Sequence, residues 1–364
     1  MITTLLCQAE RITAATSNEQ VVLFMHNSLT GGTTFMAQNQ GRSMQKWPIF
    51  LLICGLLVAI VLILLTPWRC GHLSSHPQPA KNYNESLLLV ERLKAEEPQG
   101  MNPLSRAQLM THGKKASCAI ILVHGYTSDP QQFQELGMRL YALGYNVLIA
   151  PLPHHGLADR MSDAHALLTA EELATYADRV VDIGHGLGDK VIMMGISAGG
   201  VTTAWAAQNR SDIDLAVIIS PALGFKTIPT PLTAAAMNIY SLLPDALEWW
   251  DPVLKEKVLP EHASPRYSRH ALSQILRLGF VVQADATLKP PAAKKMVIVF
   301  NANDGSINNE MTTKVVNIWK KQYSNLTISE FKADLKLPHD IIDPAQPDQR
   351  IDIVYPQLLE LLNR

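Results

Sequence analysis

The sequence has few cysteines, and neither sign of charge is in excess. Its four cysteines are Cys7, Cys54, Cys70 and Cys118. They form neither the disulfide framework of a small secreted protein nor the spacing of a zinc site. The 31 lysine and arginine residues balance 32 aspartate and glutamate residues, which argues against electrostatic binding of nucleic acid. The sequence also lacks internal repeats and low-complexity tracts.

One stretch near the N-terminus contains no charged residue. Residues 49–65 are uncharged and strongly apolar, and with their flanks they approach the about 20 residues that span a bilayer. Trp47 and Trp68 bracket the stretch, as aromatic residues do at membrane interfaces. A soluble core helix is seldom apolar on all sides, and a cleaved signal peptide has a shorter apolar segment. The sequence therefore predicts a transmembrane signal-anchor helix over residues 48–68.

The segments on either side of this helix have weaker patterns. Residues 1–47 show no strong periodicity, and we expect a disordered tail there. Residues 69–100 contain scattered prolines and polar residues, which predicts a stalk or linker with one helix over 85–96. Positive charges occur on both sides of the apolar stretch. Their balance favours a cytoplasmic N-terminus and an extracytoplasmic catalytic domain only slightly.

From residue 101 to residue 364, short apolar runs alternate with helical patterns. Strands are predicted over 118–123, 146–150, 190–194, 215–220, 296–300 and 326–331, and helices over 131–143, 170–186, 201–207, 308–323 and 351–362. Short strands that are apolar on both faces belong to parallel sheets covered by helices on both sides. The pattern predicts an α/β fold with a mainly parallel sheet. Residues 223–288 lack a strand pattern and predict a helical cap inserted between strands.

The segment MMGISAGG, residues 193–200, places a serine between glycines. Ser197 is the centre of a G-x-S-x-G pattern that follows a predicted strand and precedes a predicted helix. A serine in this context lies on a strained turn with its hydroxyl exposed. The pattern alone also fits a turn of small residues, so the nucleophile hypothesis depends on residues at other strand ends.

Candidate partners for Ser197 follow two other predicted strands. Asp304 comes after the strand at 296–300, and His339 comes after the last strand. Because the carboxyl ends of parallel strands meet at one edge of the sheet, we expect these side chains to lie close together. His339 is the candidate general base, since imidazole exchanges a proton near pH 7. Asp304 is the candidate acid that orients it.

Other polar residues near these strand ends leave alternatives open. Asp340 and Asp343 compete with Asp304 for the orienting role, although a carboxylate adjacent to the histidine would usually point elsewhere. His124 follows the strand at 118–123, and we expect it to close its loop by hydrogen bonds. The pair His154 and His155 lacks a third ligand at metal-binding spacing, so neither a metal nor another cofactor is expected.

Four segments together resemble a known superfamily. The segments LVHGYTSDPQQF, GISAGG, NANDGSIN and LPHDI, in the order serine, aspartate, histidine, resemble the α/β-hydrolases, and within them the carboxylesterase and monoacylglycerol-lipase-like branch. The resemblance covers about residues 116–364. The Ala198 N–H is expected to donate to an oxyanion, and the resemblance implies the Tyr126 N–H as the second donor. This chain departs from the branch at 154–156, where Gly-His-Gly is common, and in the glycine-poor loop 126–129.

These observations predict a membrane-anchored serine hydrolase that cleaves a small carboxylic ester with an acyl chain through an acyl-enzyme. Phe225, Trp249 and Trp250 are candidates for lining the acyl pocket in the cap. A serine peptidase or amidase on the same fold is the nearest alternative, and Glu248 or Asp251 would then anchor a substrate amine. A non-catalytic binding module is less favoured, because all three triad residue types are present.

Overall fold

The computed structural model describes residues 46–68 and 70–362, so the predicted N-terminal tail lies almost entirely outside the described residues. The strands are β1 (Gln108–Met110), β2 (Ala116–Val123), β3 (Asn146–Ile149), β4 (Gly188–Ile196), β5 (Leu215–Ile219), β6 (Leu247–Trp249), β7 (Arg266–Ser268), β8 (Met296–Asn301) and β9 (Leu326–Phe331). The helices are α1 (Lys46–Leu65), α2 (Tyr83–Ala95), α3 (Gln134–Ala142), α4 (Ala170–Leu187), α5 (Ala198–Asn209), α6 (Thr233–Leu242), α7 (Arg269–Leu288), α8 (Asn309–Trp319) and α9 (Ile351–Leu362).

Seven strands form the central sheet, in the order β1-β3-β2-β4-β5-β8-β9. Strand β1 pairs antiparallel with β3, and the other neighbouring strands are parallel. The predicted mainly parallel sheet is confirmed. Because these strands run in the same direction, the carboxyl ends of β2, β4, β8 and β9 share one edge of the sheet.

Two apolar cores cover the two faces of this sheet. Along β2, Ile120 and Leu122 point into the core that includes α3 and α9. Ile121 and Val123 point into the opposite core, with α4, α5, α7 and α8. This alternation follows from the two-residue period of a strand. Because both faces of the sheet are covered, apolar residues occupy both the odd and the even positions of these strands.

The segment predicted as a stalk packs instead on the folded domain. Helix α2 buries Val90 and Leu93 and approaches α4 at Gly186, where an added Cβ would lie 2.2 Å from the Asn82 carbonyl oxygen. The amino-acid composition of this segment does not predict the contact, because only one face of α2 is buried.

A buried arginine holds the chain that precedes α2. The Arg210 guanidinium donates to Asp178 and Asp182, and the same carboxylates accept the backbone N–H groups of His76 and Gln78. Arg210 is buried, and a buried charge needs a partner of opposite charge. Residues 75–78 are therefore part of the domain rather than a spacer.

The cap is smaller than predicted and is not wholly helical. Its strands β6 and β7 form a two-stranded antiparallel sheet, which sequence reasoning missed because each strand has only three residues. Helix α7 belongs to the core layer, since Ile275, Leu278 and Val282 are buried against α5 and α4. The inserted cap thus ends near residue 268 rather than residue 288.

Helix α1 coincides with the charge-free stretch of the sequence. Its residues Trp47–Leu65 have a mean hydropathy of 3.2, and none of the helix is buried. By length and composition it is suited to crossing a membrane. A signal sequence would have the same properties.

Candidate active site

Ser197 lies on a strained turn between β4 and α5. Its backbone has φ +57° and ψ −116°, a region that residues other than glycine rarely adopt. The neighbouring glycines make this turn possible. A Cβ at Gly199 would lie 2.1 Å from the Val123 carbonyl oxygen, and one at Gly195 would lie 2.3 Å from the Gly199 carbonyl oxygen. The glycine spacing seen in the sequence therefore has a steric cause.

His339 and Asp304 meet at the same edge of the sheet. His339 Nδ1 lies 2.8 Å from Asp304 Oδ2, and Asp304 Oδ1 accepts the N–H groups of Ser306 and Ile307 at 2.8 and 2.9 Å. Burial alone would raise the pKa of Asp304, but the charge and hydrogen bond of His339 and these two N–H groups lower it. The carboxylate is therefore ionised and fixed in orientation.

The pKa of His339 is raised above its usual value. Burial opposes the charged imidazolium, but the charge and hydrogen bond of Asp304 outweigh it, and the charge of Asp340 adds to the effect. Asp304 can thus stabilise a positive charge on the imidazole when it takes up a proton.

The two competing carboxylates have other partners. Asp340 Oδ2 accepts the Gln132 side-chain amide at 2.7 Å, and Gln132 Oε1 accepts the Gly125 N–H at 2.8 Å. Asp343 Oδ2 lies 2.8 Å from His262 Nε2. Asp340 therefore supports the loop after β2, although it is the neighbour of His339 in sequence.

The loop after β2 passes close to the serine. A Cβ on Gly125 would lie 3.4 Å from the Ser197 Cβ. The next residue, Tyr126, lines the same cavity as the candidate nucleophile Ser197. The Tyr126 hydroxyl lies 2.8 Å from His165 Nδ1 and accepts the Ser268 N–H at 3.0 Å. These bonds fix Tyr126 from both the core and the cap. Ala198 begins α5, where the N–H groups of a first helical turn have no intrahelical acceptor.

Three buried histidines support this loop without facing the cavity. His124 Nε2 accepts the Leu152 N–H at 2.8 Å, and His155 Nε2 accepts the Thr127 N–H at 3.3 Å. Burial lowers the pKa of His124 to about 4 and that of His165 to about 4, so all these rings act as neutral partners. The structural role expected for His124 is confirmed. His154 points instead to Glu172, at 2.9 Å, so the adjacent histidines do not converge.

A cavity of about 480 Å³ opens over Ser197 and His339. Its volume is in the range of small-molecule sites. Two of the candidates for lining an acyl pocket, Phe225 and Trp250, line this cavity, and so do Ile228, Tyr240, Leu272 and Ile275. Trp249 was also a candidate, but it does not lie among the described residues of the cavity wall. Its ring faces the Arg266 guanidinium at 5.9 Å instead, because neighbouring residues at the end of β6 point in opposite directions.

Trp250 also joins the cap to the loop after β2. Its indole Nε1 donates to the Thr127 hydroxyl at 2.9 Å, and its ring lies 4.5 Å from that of Tyr267. The apolar wall of the cavity is therefore tied to the same loop that carries Tyr126.

His262 is a second link between cap and core, and sequence reasoning missed it. Its Nε2 lies 2.8 Å from Asp343, and its Nδ1 forms an ion pair with Asp129 at 3.1 Å. Burial would lower its pKa, but the two carboxylates raise it to about 10. The single signal in the sequence was a histidine in the cap, and its partners lie far away along the chain.

The acidic residues considered as amine anchors do not face the cavity. Glu248 accepts the Tyr267 hydroxyl at 2.6 Å and pairs with Arg269, while Asp251 accepts the N–H groups of Val253 and Leu254. Among the described residues that line the cavity, the one carboxylate is Asp340, and its oxygens are already hydrogen-bonded.

Comparison with known proteins identifies relatives of part of the chain. A family model described as serine aminopeptidase, S33, matches residues 114–273. A thermostable monoacylglycerol lipase from Bacillus sp. (strain H-257) is 27% identical over 173 residues, which are 46% of this chain. The match spans 64% of that lipase, less than two thirds of its length.

Solved structures agree with this chain in fold. A structure of the metagenome-derived lipolytic enzymes LipS and LipT superposes with a TM-score of 0.55 at 18% identity, covering 72% of this chain and 99% of that one. A monoacylglycerol lipase from Paleococcus ferrophilus gives 0.54 at 19% identity, covering 70% and 97%. At these identities the agreement concerns the arrangement of the chain and not the substrate.

Proposed function

We propose that this chain, an α/β-hydrolase of the lipase and esterase type, is a serine hydrolase that cleaves carboxylic esters through an acyl-enzyme. One observation carries the proposal. The strained turn of Ser197 and the ring of His339 line one cavity, and the far nitrogen of that ring is held by Asp304 at 2.8 Å. A weak nucleophile, a base and an orienting carboxylate in this order are what acyl transfer requires.

In the proposed reaction, Ser197 Oγ attacks the ester carbonyl carbon while His339 Nε2 takes the hydroxyl proton. The N–H groups of Tyr126 and Ala198 stabilise the oxyanion, and removing such a donor typically costs about 3 kcal/mol of barrier stabilisation. His339 then returns the proton to the departing alcohol, leaving an acyl group on Ser197. Water activated by His339 releases the acid and restores the serine.

The cavity wall favours an ester with an acyl chain. Phe225, Ile228, Leu272 and Ile275 present an apolar surface next to Ser197, and burial of an acyl chain stabilises binding by about 0.8 kcal/mol for each methylene. This agrees with the lipase relatives.

A second candidate is an amidase or aminopeptidase, because the matching family model bears that description. A substrate ammonium group requires an ionised partner in the site. Of the described carboxylates, Glu248 pairs with Arg269. Asp340 accepts the Ile342 N–H of its own loop and the Gln132 side-chain amide. No free acid lies among the described residues of this cavity wall, which supports the ester over the amine.

We also propose that α1 anchors the enzyme in a membrane as a single span, with the catalytic domain outside the cytoplasm. The support is the exposed apolar surface of the helix. Full-length protein should stay in the membrane fraction after carbonate extraction. Release by carbonate would contradict the span, and a shortened mature form would indicate a cleaved signal.

The experiment that tests the activity is covalent labelling by a fluorophosphonate, measured by intact mass on the full chain. We expect one adduct on the wild type and none on Ser197→Ala, with the same unfolding temperature for both proteins. Equal labelling of the two proteins would contradict the nucleophile assignment. Hydrolysis of p-nitrophenyl esters against aminoacyl-amides then separates the two candidate functions.

A further inference from the structure

Thr127 has an unusual backbone conformation directly after Tyr126, one of the two proposed oxyanion donors. Its φ is +64°, which lies in the left-handed region that a β-branched residue rarely occupies. Residues 126–129 contain no glycine that could adopt this conformation without strain. Such strain persists only where surrounding groups hold the residue in place. The contacts of Thr127 therefore show what fixes the loop after β2.

Each polar group of Thr127 has a hydrogen-bond partner, and two of the partners belong to the cap. The N–H donates to His155 Nε2 at 3.3 Å, and the hydroxyl donates to the Tyr126 carbonyl oxygen at 2.7 Å. The hydroxyl oxygen also accepts the Trp250 indole N–H at 2.9 Å. The Thr127 carbonyl oxygen accepts the Ser264 N–H at 2.7 Å. The cap thus holds both the hydroxyl and the carbonyl of this buried residue.

These bonds fix the peptide group that follows the Tyr126 N–H. The Tyr126 carbonyl and the Thr127 N–H are the two ends of one planar peptide, and each end has a partner. This peptide and the Tyr126 N–H are joined through the Tyr126 Cα, with only two soft backbone torsions between them. A shift of the peptide therefore also moves the N–H. Oxyanion donors act at about 2.7–3.1 Å, so a small displacement weakens the stabilisation.

The Tyr126 N–H itself is available to a substrate. The neighbouring Gly125 N–H donates to Gln132 Oε1 at 2.8 Å, and the Ser128 N–H donates to the Gly125 carbonyl oxygen at 3.2 Å. Among the residues that the structure describes, none accepts the Tyr126 N–H. Tyr126 and Ser197 also line the same cavity. The loop thus presents one N–H group to the cavity while its neighbours are occupied.

We propose that Trp250 is a positioning residue, whose indole N–H acts through the Thr127 hydroxyl to hold the Tyr126 N–H in place for the oxyanion. The cap is then part of the catalytic site and not only a cover over the cavity. The proposal rests on the proposed function and deepens it, because it adds a group that acts on the chemical step. If the bond served only to pair a buried indole N–H, its loss would lower stability and leave kcat unchanged.

The test compares kcat of full-length variants on a soluble p-nitrophenyl ester. Trp250→Phe keeps an aromatic face and removes the N–H, and Thr127→Val keeps the β-branched shape and removes the hydroxyl. We expect kcat to fall about tenfold in each with KM nearly unchanged, because displacing an oxyanion donor costs less than the about hundredfold or more that follows its removal. The control is Trp249→Phe, whose ring lies against Arg266, and it should keep the wild-type kcat.

A double-mutant cycle separates this bond from two unrelated losses. If the indole N–H acts through the hydroxyl, Trp250→Phe should lower kcat no further once Thr127→Val is present. Thr127→Ser keeps the hydroxyl and should retain most of the wild-type kcat. If Thr127→Val does not fold, Thr127→Ala takes its place in the cycle, since it also lacks the hydroxyl.

Inhibition by a trifluoromethyl ketone gives a readout that a loss of stability alone would not change. Ser197 Oγ adds to the ketone carbon, the hydroxyl proton passes to His339, and the carbonyl oxygen becomes an oxyanion like that of the ester intermediate. We expect the inhibition constant to rise in Trp250→Phe by the same factor by which kcat/KM falls.

The proposal is overturned if Trp250→Phe has the wild-type kcat and inhibition constant, or if the two substitutions lower kcat by independent factors that multiply. A rise in KM alone would also overturn it, since Trp250 would then contribute only to the cavity wall. An active wild type with an unchanged Trp250→Phe variant contradicts this inference alone. A wild type that neither hydrolyses the ester nor reacts with a fluorophosphonate contradicts the proposed function, and this inference with it.

Discussion

His339 is oriented by Asp304, 35 residues away in sequence, and not by Asp340, its neighbour. The Nδ1–Oδ2 distance to Asp304 is 2.8 Å, whereas Asp340 accepts hydrogen bonds from Gln132 and from backbone N–H groups of its own loop. The difference separates two functions that a sequence alone places side by side. One carboxylate supports the candidate base, and the other supports the loop that carries Tyr126.

Asp304→Asn should lower kcat by several orders of magnitude, because the imidazolium loses its stabilising charge and the ring loses its fixed tautomer. Its pH profile should move as well. Asp304 raises the pKa of His339, and the neutral ring is the base, so the acid limb of kcat/KM should lie above pH 6.5 in the wild type and shift to lower pH in the variant.

Asp340→Asn is the matched comparison. It removes the charge that adds to the raised pKa of His339, and it weakens the bond to Gln132. We expect a loss of activity of about tenfold and a smaller shift of the acid limb in the same direction. A larger loss in Asp340→Asn than in Asp304→Asn would show that the orienting acid has been assigned wrongly.

His262→Gln should destabilise the protein, because Asp129 and Asp343 would then lie buried without a cation. Removing one partner of a buried charge pair typically costs about 3–5 kcal/mol. The control is His154→Gln, whose contact with Glu172 is partly exposed and should contribute less than about 1 kcal/mol. Urea denaturation of both variants checks the difference.

The contribution of His262 should also depend on pH. Its folded-state pKa is raised from 6.5 to about 10, so protonation favours the folded state. The stabilisation is complete below pH 6.5, declines above it and is lost by about pH 10. Asp129 and Asp343 face the ring directly, and neutral His124 lies nearby. Between pH 7 and pH 10 the wild type should lose more stability than His262→Gln, and equal losses would contradict the ion-pair assignment.

Gly199→Ala should disrupt folding near the candidate nucleophile. The added Cβ would lie 2.1 Å from the Val123 carbonyl oxygen, so the backbone of β2 or α5 would have to move. We expect a loss of at least about 3 kcal/mol in the free energy of unfolding. Gly305→Ala is the control, because nothing lies within 4 Å of its added Cβ. Similar melting temperatures for the two variants would contradict the steric account.

Trp250→Ala should change substrate preference, while Trp249→Ala should not. Trp250 lines the cavity and bonds to Thr127, whereas Trp249 lies against Arg266. We expect KM for a long-chain p-nitrophenyl ester to rise about tenfold in Trp250→Ala, a change in binding free energy of about 1.4 kcal/mol. A similar rise in Trp249→Ala would place the acyl chain elsewhere in the cap.

Deletion of residues 1–98 should destabilise the domain more than deletion of residues 1–68. The longer deletion removes Val90 and Leu93, which are buried, and each apolar side chain of this size contributes about 1.5–3 kcal/mol. Both fragments lack Leu64 and Thr66, whose carbonyl oxygens accept the Asn238 side-chain amide, so the loss of these bonds is common to the two. Thermal unfolding of the fragments measures the difference, and equal stability would support the stalk predicted from composition.

The sequence by itself determined the alternation of strands and helices, the strained turn at Ser197 and the order of the polar residues at the strand ends. These features are local or depend on periodicity, and periodicity follows from the geometry of each element alone. The charge-free stretch of α1 was visible for the same reason. The strands β6 and β7 were not visible, because three residues carry too little pattern.

Only the tertiary structure decided which partners these residues meet. His262 finds Asp129 and Asp343, Arg210 finds Asp178 and Asp182, and Asn238 finds the end of α1. In each case the partners lie far apart along the chain or on elements whose packing one sequence does not reveal. A buried polar group must find a partner, but which one depends on how the layers pack. The pairing of charges and the direction of each side chain therefore belong to the folded structure alone.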